Sequence, residues 1–255
     1  MNKVFIIGRQ IFKGCLRSKS LSLNAFFLVA LVIFMSMISG SDSAFKVPLV
    51  IDSGLSLINI FSLLLVAFII VPVYQAERDR ETLVAALSFN LSRAQYLWGL
   101  WVGSAAALTV NYLAMTIMLI INLLVLKIPL SIGIFRQLFL NFCEILTLGS
   151  FAITFSLYFS YVVAIMLTAT IYMLGHMTTS LHMALQEWEG SIVAKIIDYS
   201  RLLVPDFSLF NLKDIVIKNA AIPATYELIA AVYAIAMIFI AIEIGMYRLN
   251  RENLL

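Results

Sequence analysis

Three segments of this chain, from Ser20 to Ser41, Ser53 to Ala76 and Ala94 to Leu126, contain no Asp, Glu, Lys or Arg at all. A fourth, from Gln137 to Gln186, carries Glu144 alone. A helix needs about 20 mostly apolar residues to cross the hydrocarbon core of a bilayer. Runs of this length without charge cannot be tiled over the surface of a water-soluble globule. The composition agrees: 62% of the 255 residues are hydrophobic and 12% are charged. A soluble domain is about half apolar and about a quarter charged. Disorder is excluded, because it requires low hydrophobicity. A net charge of +3 gives no electrostatic basis for holding nucleic acid. Barrel strands would show segments of about 10 alternating residues, not continuous apolar runs. The expected fold class is therefore all-α, a polytopic membrane protein.

The charges mark the span boundaries. Six spans are expected, near Leu21–Ile38, Leu55–Val73, Tyr96–Ile120, Leu138–Tyr158, Tyr161–Leu181 and Glu227–Tyr247, with a tight turn around Ser160 between the fourth and fifth. The first run has the length of a full span and follows a long basic segment, so it is expected to be a span and not a cleaved signal. Lys and Arg set the orientation. With both ends inside, the cytoplasmic side holds Lys3, Arg9, Lys13, Arg17, Lys19, Arg78, Arg80, Arg93, Arg248 and Arg251. The opposite side then holds Lys46, Lys127, Arg136, Lys195, Arg201, Lys213 and Lys218. The expected topology is N-in, C-in. Trp98, Trp101, Trp188, Tyr74, Tyr96 and Tyr226 fit interfacial belts.

Outside the spans, residues 1–20 read as an amphipathic helix at the cytoplasmic face. Lys3, Arg9, Gln10, Lys13 and Arg17 share one arc; Val4, Phe5, Ile7, Ile11, Phe12, Cys15 and Leu16 share the other. Such a helix lies in the interface with its cations toward anionic head groups. Residues 21–255 form the six-span domain. Its loop 74–95 contains five consecutive charges, Glu77-Arg78-Asp79-Arg80-Glu81, followed by Thr82, Leu83, Val84 and Leu87. A dense mixed-charge helix between two spans offers a docking surface on which complementary charge fixes orientation. The loop 182–226 has two apolar clusters, Ile192, Val193, Ile196 and Ile197, then Phe207, Leu209, Phe210, Leu212, Ile215 and Val216, separated by Pro205. Two short interfacial or re-entrant helices are expected there, lying on or dipping into the bilayer.

These segments together resemble the membrane subunits of type-2 ABC exporters (ABC-2-type permeases), nearest to the nitrous-oxide-reductase-maturation and gliding-type branch. The similar features are the basic amphipathic lead-in, the charged run ending in Thr82-Leu83, the Ser92-Arg93 pair, Leu203 to Asp214, and the tail Arg248-Leu249-Asn250-Arg251-Glu252. Asn90-Leu91 and Gly99-Leu100 stand where that branch often carries Pro and Lys. The resemblance implies that Glu77, Arg78, Asp79, Arg80, Glu81, Thr82 and Leu83 open a coupling helix, 77–87, seated on a separate ABC ATPase subunit. ATP and Mg would be bound there, since this chain has no Gly-x-x-x-x-Gly-Lys-[Ser/Thr] loop. It further implies pairing with a second copy or a homologous permease, possible accessory subunits, contact with membrane lipids, and a bacterial inner-membrane location.

Few residues suggest chemistry. Glu144 is an intramembrane carboxylate, a functional candidate by default. At ~1.5 Å per residue it lies about two turns from Arg136, so snorkelling toward the outer interface or an interhelical partner is an equal reading. Gly99, Gly103 and Ala107 form a small-residue stripe for close helix packing within the bundle or across a dimer. His176 and His182 are the only histidines, on different faces and with no acid or thiol beside them in sequence, so no metal site is expected. No hydrolase motif and no catalytic residue are expected either. A secondary transporter, or a membrane scaffold that transports nothing, are the alternative functions.

Overall fold

A computed structural model of the chain describes residues 3–17, 20–38, 43–79, 92–185, 205–217, 223 and 225–251. Among these the secondary structure is helical throughout, with no strand. Helix is the form an apolar span must take, because lipid offers no partner for a backbone N–H or C=O. We number the α-helices α1 (Lys3–Arg17), α2 (Ser20–Ile38), α3 (Ser43–Leu65), α4 (Val71–Asp79), α5 (Arg93–Val125), α6 (Ile132–Tyr158), α7 (Tyr161–Leu185), α8 (Lys213–Ile217) and α9 (Tyr226–Arg251). A π-helical turn, Val66–Ile70, joins α3 to α4, and a 3-10 turn, Phe207–Phe210, precedes α8.

Among the described residues, five helical segments are long and apolar enough to cross a membrane: Lys46–Ala76, Arg93–Val125, Ile132–Tyr158, Tyr161–Thr178 and Tyr226–Arg251. The first expected span coincides with α2, which makes a sixth candidate when taken with α1, from which it is bent by 50°. The helix around the second expected span extends back to Ser43 and carries Lys46, Pro48 and Asp52 in its first turns. Charges near a helix end reach water by snorkelling and do not interrupt the helix. The break between α6 and α7 falls at Phe159 and Ser160.

The π turn has a local cause. Pro72 has no N–H, and in α-register its ring would collide with the carbonyl of Phe68. The chain widens one turn just before it, so that the Val71 N–H bonds to the Val66 carbonyl five residues back. At the far end of α5, Lys127 has φ 57°. Its N–H bonds to the Leu124 carbonyl and that of Ile128 to Leu123, both at 3.0 Å. This is a Schellman stop with a lysine in the left-handed position usually given to glycine, and Pro129 follows it.

Burial separates the helices into two classes. In α6, 78% of the most apolar window is buried, and 72% in the α3–α4 span. The figure is only 33%, 28% and 33% for α5, α7 and α9. The α3–α4 and α6 spans are thus the centre of the bundle, and the others present an apolar outer face. Helix α9 packs on α6 through Ala230, Ala234, Ala241 and Gly245, residues small enough to let the backbones approach. There Thr154 Oγ1 donates to the Ala241 carbonyl at 2.7 Å. Phe27 of α2 meets Phe61 of α3 edge-on at 5.2 Å, and Asn24 donates across to Asn111 of α5 at 2.8 Å.

One end of the bundle gathers α1, α4, the start of α5, the α6–α7 turn and the end of α9. Gln75 donates to the carbonyls of Ser156 and Phe159 at 3.3 and 3.1 Å. Tyr158 donates to the Ile244 carbonyl, and Arg93 to that of Leu249. Tyr74 and Tyr96 are buried here, at 6% and 5% exposure, and so are core residues instead of belt residues. Trp101 is partly buried and donates to Ser150 Oγ at 2.8 Å. Trp188 lies outside the described residues.

Candidate functional site

At the opposite end, the segment 205–217 is folded into the protein. The second apolar cluster of the long loop, expected as a short interfacial or re-entrant helix, forms the 3-10 turn Phe207–Phe210 and the short α8. It packs inward: Phe207 and Phe210 are wholly buried, and Leu212 and Val216 nearly so. The physical reason is that polar side chains from α6 and α9 hold its backbone, while one from α7 holds the Asp206 side chain. Gln137 of α6, itself fully buried, accepts from the Leu212 N–H at 2.6 Å and donates to the Phe210 carbonyl at 2.9 Å. Tyr226 of α9 donates to the Leu209 carbonyl at 2.8 Å, and Tyr233 accepts from the Asp206 N–H at 2.7 Å. Thr178 of α7 donates to Asp206 Oδ1, which also caps the 3-10 turn by accepting from the Ser208 N–H. Gly175 leaves room for this turn: a Cβ there would sit 2.5 Å from the Phe207 ring. The first cluster of the loop, Ile192 to Ile197, lies outside the described residues.

Beneath this clasp lies a buried ion-pair geometry. Glu144 is 4% exposed, and its Oε1 is 2.6 Å from His176 Nε2 on α7. Its Oε2 has no hydrogen-bond partner among the described residues. Arg136, the partner that proximity along α6 suggests, pairs instead with Glu227 of α9 and donates to the Pro223 carbonyl. Glu144 therefore does not snorkel toward Arg136. The statement that the histidines have no carboxylate beside them holds only along the chain; across the α6–α7 contact His176 has one. The imidazole is packed edge-on against Tyr172 at 4.6 Å, with Phe207 at 6.1 Å.

The His176 ring borders an open groove of about 280 Å³ between α3, α7 and the clasp, lined by Ser56, Asn59, Tyr172, His176, Asn211 and Lys213. Lys213 Nζ donates to Ser56 Oγ at 2.9 Å. Burial holds the Lys213 ammonium below the usual lysine pKa, and nearby Asp52, Glu144 and Asp214 oppose that shift. Amide, hydroxyl, imidazole and ammonium groups thus converge on an opening that also has apolar walls in Ile60, Met173 and Met177. This arrangement can bind a polar head group. Among the described residues no three His, Cys, Asp or Glu side chains come together as a metal cluster would require.

A sequence signal for this site existed. Gln137, Asn141 and Glu144 stand at i, i+4 and i+7, which puts three polar residues on one face of an apolar span. Such a stripe turns inward in lipid, and all three are buried.

The charged motif lies at the other end. Helix α4 carries the span unbroken as far as Asp79, so the backbone of Glu77, Arg78 and Asp79 is helical. Arg80, Glu81, Thr82 and Leu83 lie outside the described residues. The chain re-enters at Ser92, which caps α5: its hydroxyl accepts from the Gln95 N–H while the Gln95 side chain accepts from the Ser92 N–H, both at 3.2 Å. The small-residue stripe of α5 faces α1. A Cβ on Gly99 would lie 2.8 Å from Ile7 Cβ, and one on Gly103 would lie 2.4 Å from the Gly8 carbonyl oxygen. Ala107, also fully buried, continues the stripe. No family model and no curated protein matches this chain.

Proposed function

We propose that this chain is the transmembrane permease subunit of a type-2 ABC exporter, multi-pass in a bacterial inner membrane and moved by a separate ATPase subunit that binds ATP and Mg. The observation that supports it best is the course of α4. A span buried at the bundle centre continues as one helix to Asp79, into the charged run 77–81. A force applied to that run acts on the core of the bundle and not on a slack loop. The same end carries α1, wedged on α5 through glycines, together with the start of α5 and the end of α9. This proposal makes the 77–87 segment the coupling helix and pairs the chain with a second copy or a homologous permease, giving a path that alternates its access.

The test is association. An ATPase subunit is expected to copurify with the wild-type chain, and the triple variant Glu77→Lys, Asp79→Lys, Glu81→Lys is expected to lose it with its own thermal stability intact. A stable complex with full ATPase stimulation in that variant rejects the coupling-helix assignment. A second reading, a proton-coupled secondary transporter, is favoured by one observation, the buried Glu144–His176 pair beside the groove. Uptake into proteoliposomes driven by a pH gradient without nucleotide would support that reading over the first.

A further inference from the structure

Where α1 crosses α5, the two helices leave a groove beside their glycine contact. It has a volume of about 480 Å³ and is lined by Phe5, Arg9, Phe12 and Lys13 of α1 and by Val102 and Ala106 of α5. This is within the roughly 300–1,000 Å³ of sites that take small apolar ligands. The floor is apolar, made by Gly8, Gly103 and their neighbours. Phe5 is 62% exposed, with no side chain laid over it.

The rim has the opposite character. Arg9 and Lys13 are one helical turn apart, so they share a face. Both are exposed. Helix α1 has no acidic residue, and neither has α5 from Arg93 through Ala106. Neither cation pairs with a carboxylate among the described residues. Two cations above an apolar trough, on a helix bent by 50° from the first apolar span, have the layout of a lipid: charge at the head-group level, hydrocarbon below.

We infer that this groove seats one anionic phospholipid, with an acyl chain along Phe5, Phe12, Val102 and Ala106 and the phosphate between Arg9 and Lys13. A bound lipid then completes the α1–α5 contact, so the membrane's anionic lipid content acts on the position of α1. The inference does not depend on the ATPase reading; it concerns the chain and the bilayer alone.

Native mass spectrometry of the full chain in detergent tests it, using phosphatidylglycerol and phosphatidylcholine with identical acyl chains. One phosphatidylglycerol per chain is expected to be retained in preference to phosphatidylcholine. Arg9→Gln with Lys13→Gln is expected to weaken that retention about thirty-fold, at the scale of one interfacial attraction per cation. Ala106→Phe fills the trough and leaves both cations; it is expected to abolish the preference as well. Arg17→Gln, on the same helix but outside the groove, is expected to change it less than twofold. Equal retention of the two lipids overturns the inference. So does an undiminished preference in a folded Ala106→Phe protein, which would mean diffuse attraction only. A lipid-independent dimer broken by Ala106→Phe would give the groove to a second copy of this chain and also overturn it. The glutamine variants alter exposed side chains, so they keep the test decisive should Ala106→Phe fail to fold.

Discussion

Gln137 makes the sharpest case for the clasp. Replacing it by Leu keeps the approximate size and removes the amide. The Leu212 N–H then loses its acceptor at 2.6 Å and the Phe210 carbonyl loses its donor at 2.9 Å, in a place fully shielded from solvent. Each orphaned buried group costs about 1–3 kcal/mol. Relief from burying the glutamine amide itself returns about 1–2 kcal/mol. With two groups orphaned, the net destabilisation is thus about 1–4 kcal/mol. Asn141, which shares the Gln137 amide, makes the two positions non-additive, so Gln137→Leu/Asn141→Leu is expected to cost less than the two single changes together. Unfolding by SDS in mixed micelles gives the free energy, and hydrogen exchange at the Leu212 amide gives the local effect. A loss below about 0.5 kcal/mol with unchanged Leu212 protection would refute the reasoning, because buried backbone groups cannot be orphaned so cheaply.

Other consequences follow from single positions. Burial pushes the Cys15 thiol up to about 12, so it should resist maleimide at pH 8 in the folded protein; Gly103→Leu, which forces α1 off α5, should make it reactive, and reactivity already present in the wild type would contradict the seam. Lys127→Gly should stabilise the fold by about 1 kcal/mol in thermal or SDS unfolding, since the left-handed backbone costs an L-residue about that much. His176→Phe leaves Glu144 Oε1 without its partner in a buried place and should cost about 1–3 kcal/mol in SDS unfolding. The lowered Lys213 pKa means that the unfolded chain holds the proton more tightly. Stability should therefore rise with pH between the folded pKa and the usual value of 10.5, and Lys213→Met should remove that part of the slope in paired titrations.

Which of these features were legible in the sequence follows from the range of the forces involved. Span placement is one-dimensional, a matter of length and charge, so the helices around Ala94–Leu126 and Gln137–Gln186 and the break at Ser160 are written in local composition. The helix around the second expected span extends back to Ser43, because a helix end tolerates Lys46 and Asp52, charges that look like loop charges in the sequence. The Glu144–His176 contact joins residues 32 positions apart on different helices, and nothing local marks it. The burial of Phe207 and Phe210 depends on Gln137, Thr178, Tyr226 and Tyr233 meeting one short segment, which no periodicity within that segment announces. The inward polar stripe on α6 was the available clue. It also changes the weight given to Glu144, from an isolated carboxylate near an interface to a member of a buried polar face.

In the proposed function the charged run that begins within the last turn of α4 meets a motor. A photoreactive amino acid placed at position 83 and irradiated in native membranes tests this most directly, with mass spectrometry identifying what is captured. One dominant adduct is expected, to a protein carrying a Gly-x-x-x-x-Gly-Lys-[Ser/Thr] phosphate loop, and it should be lost in the Glu77→Lys, Asp79→Lys, Glu81→Lys background. Capture of lipid alone, or an adduct to a nucleotide-free protein that survives the charge reversal, would contradict it.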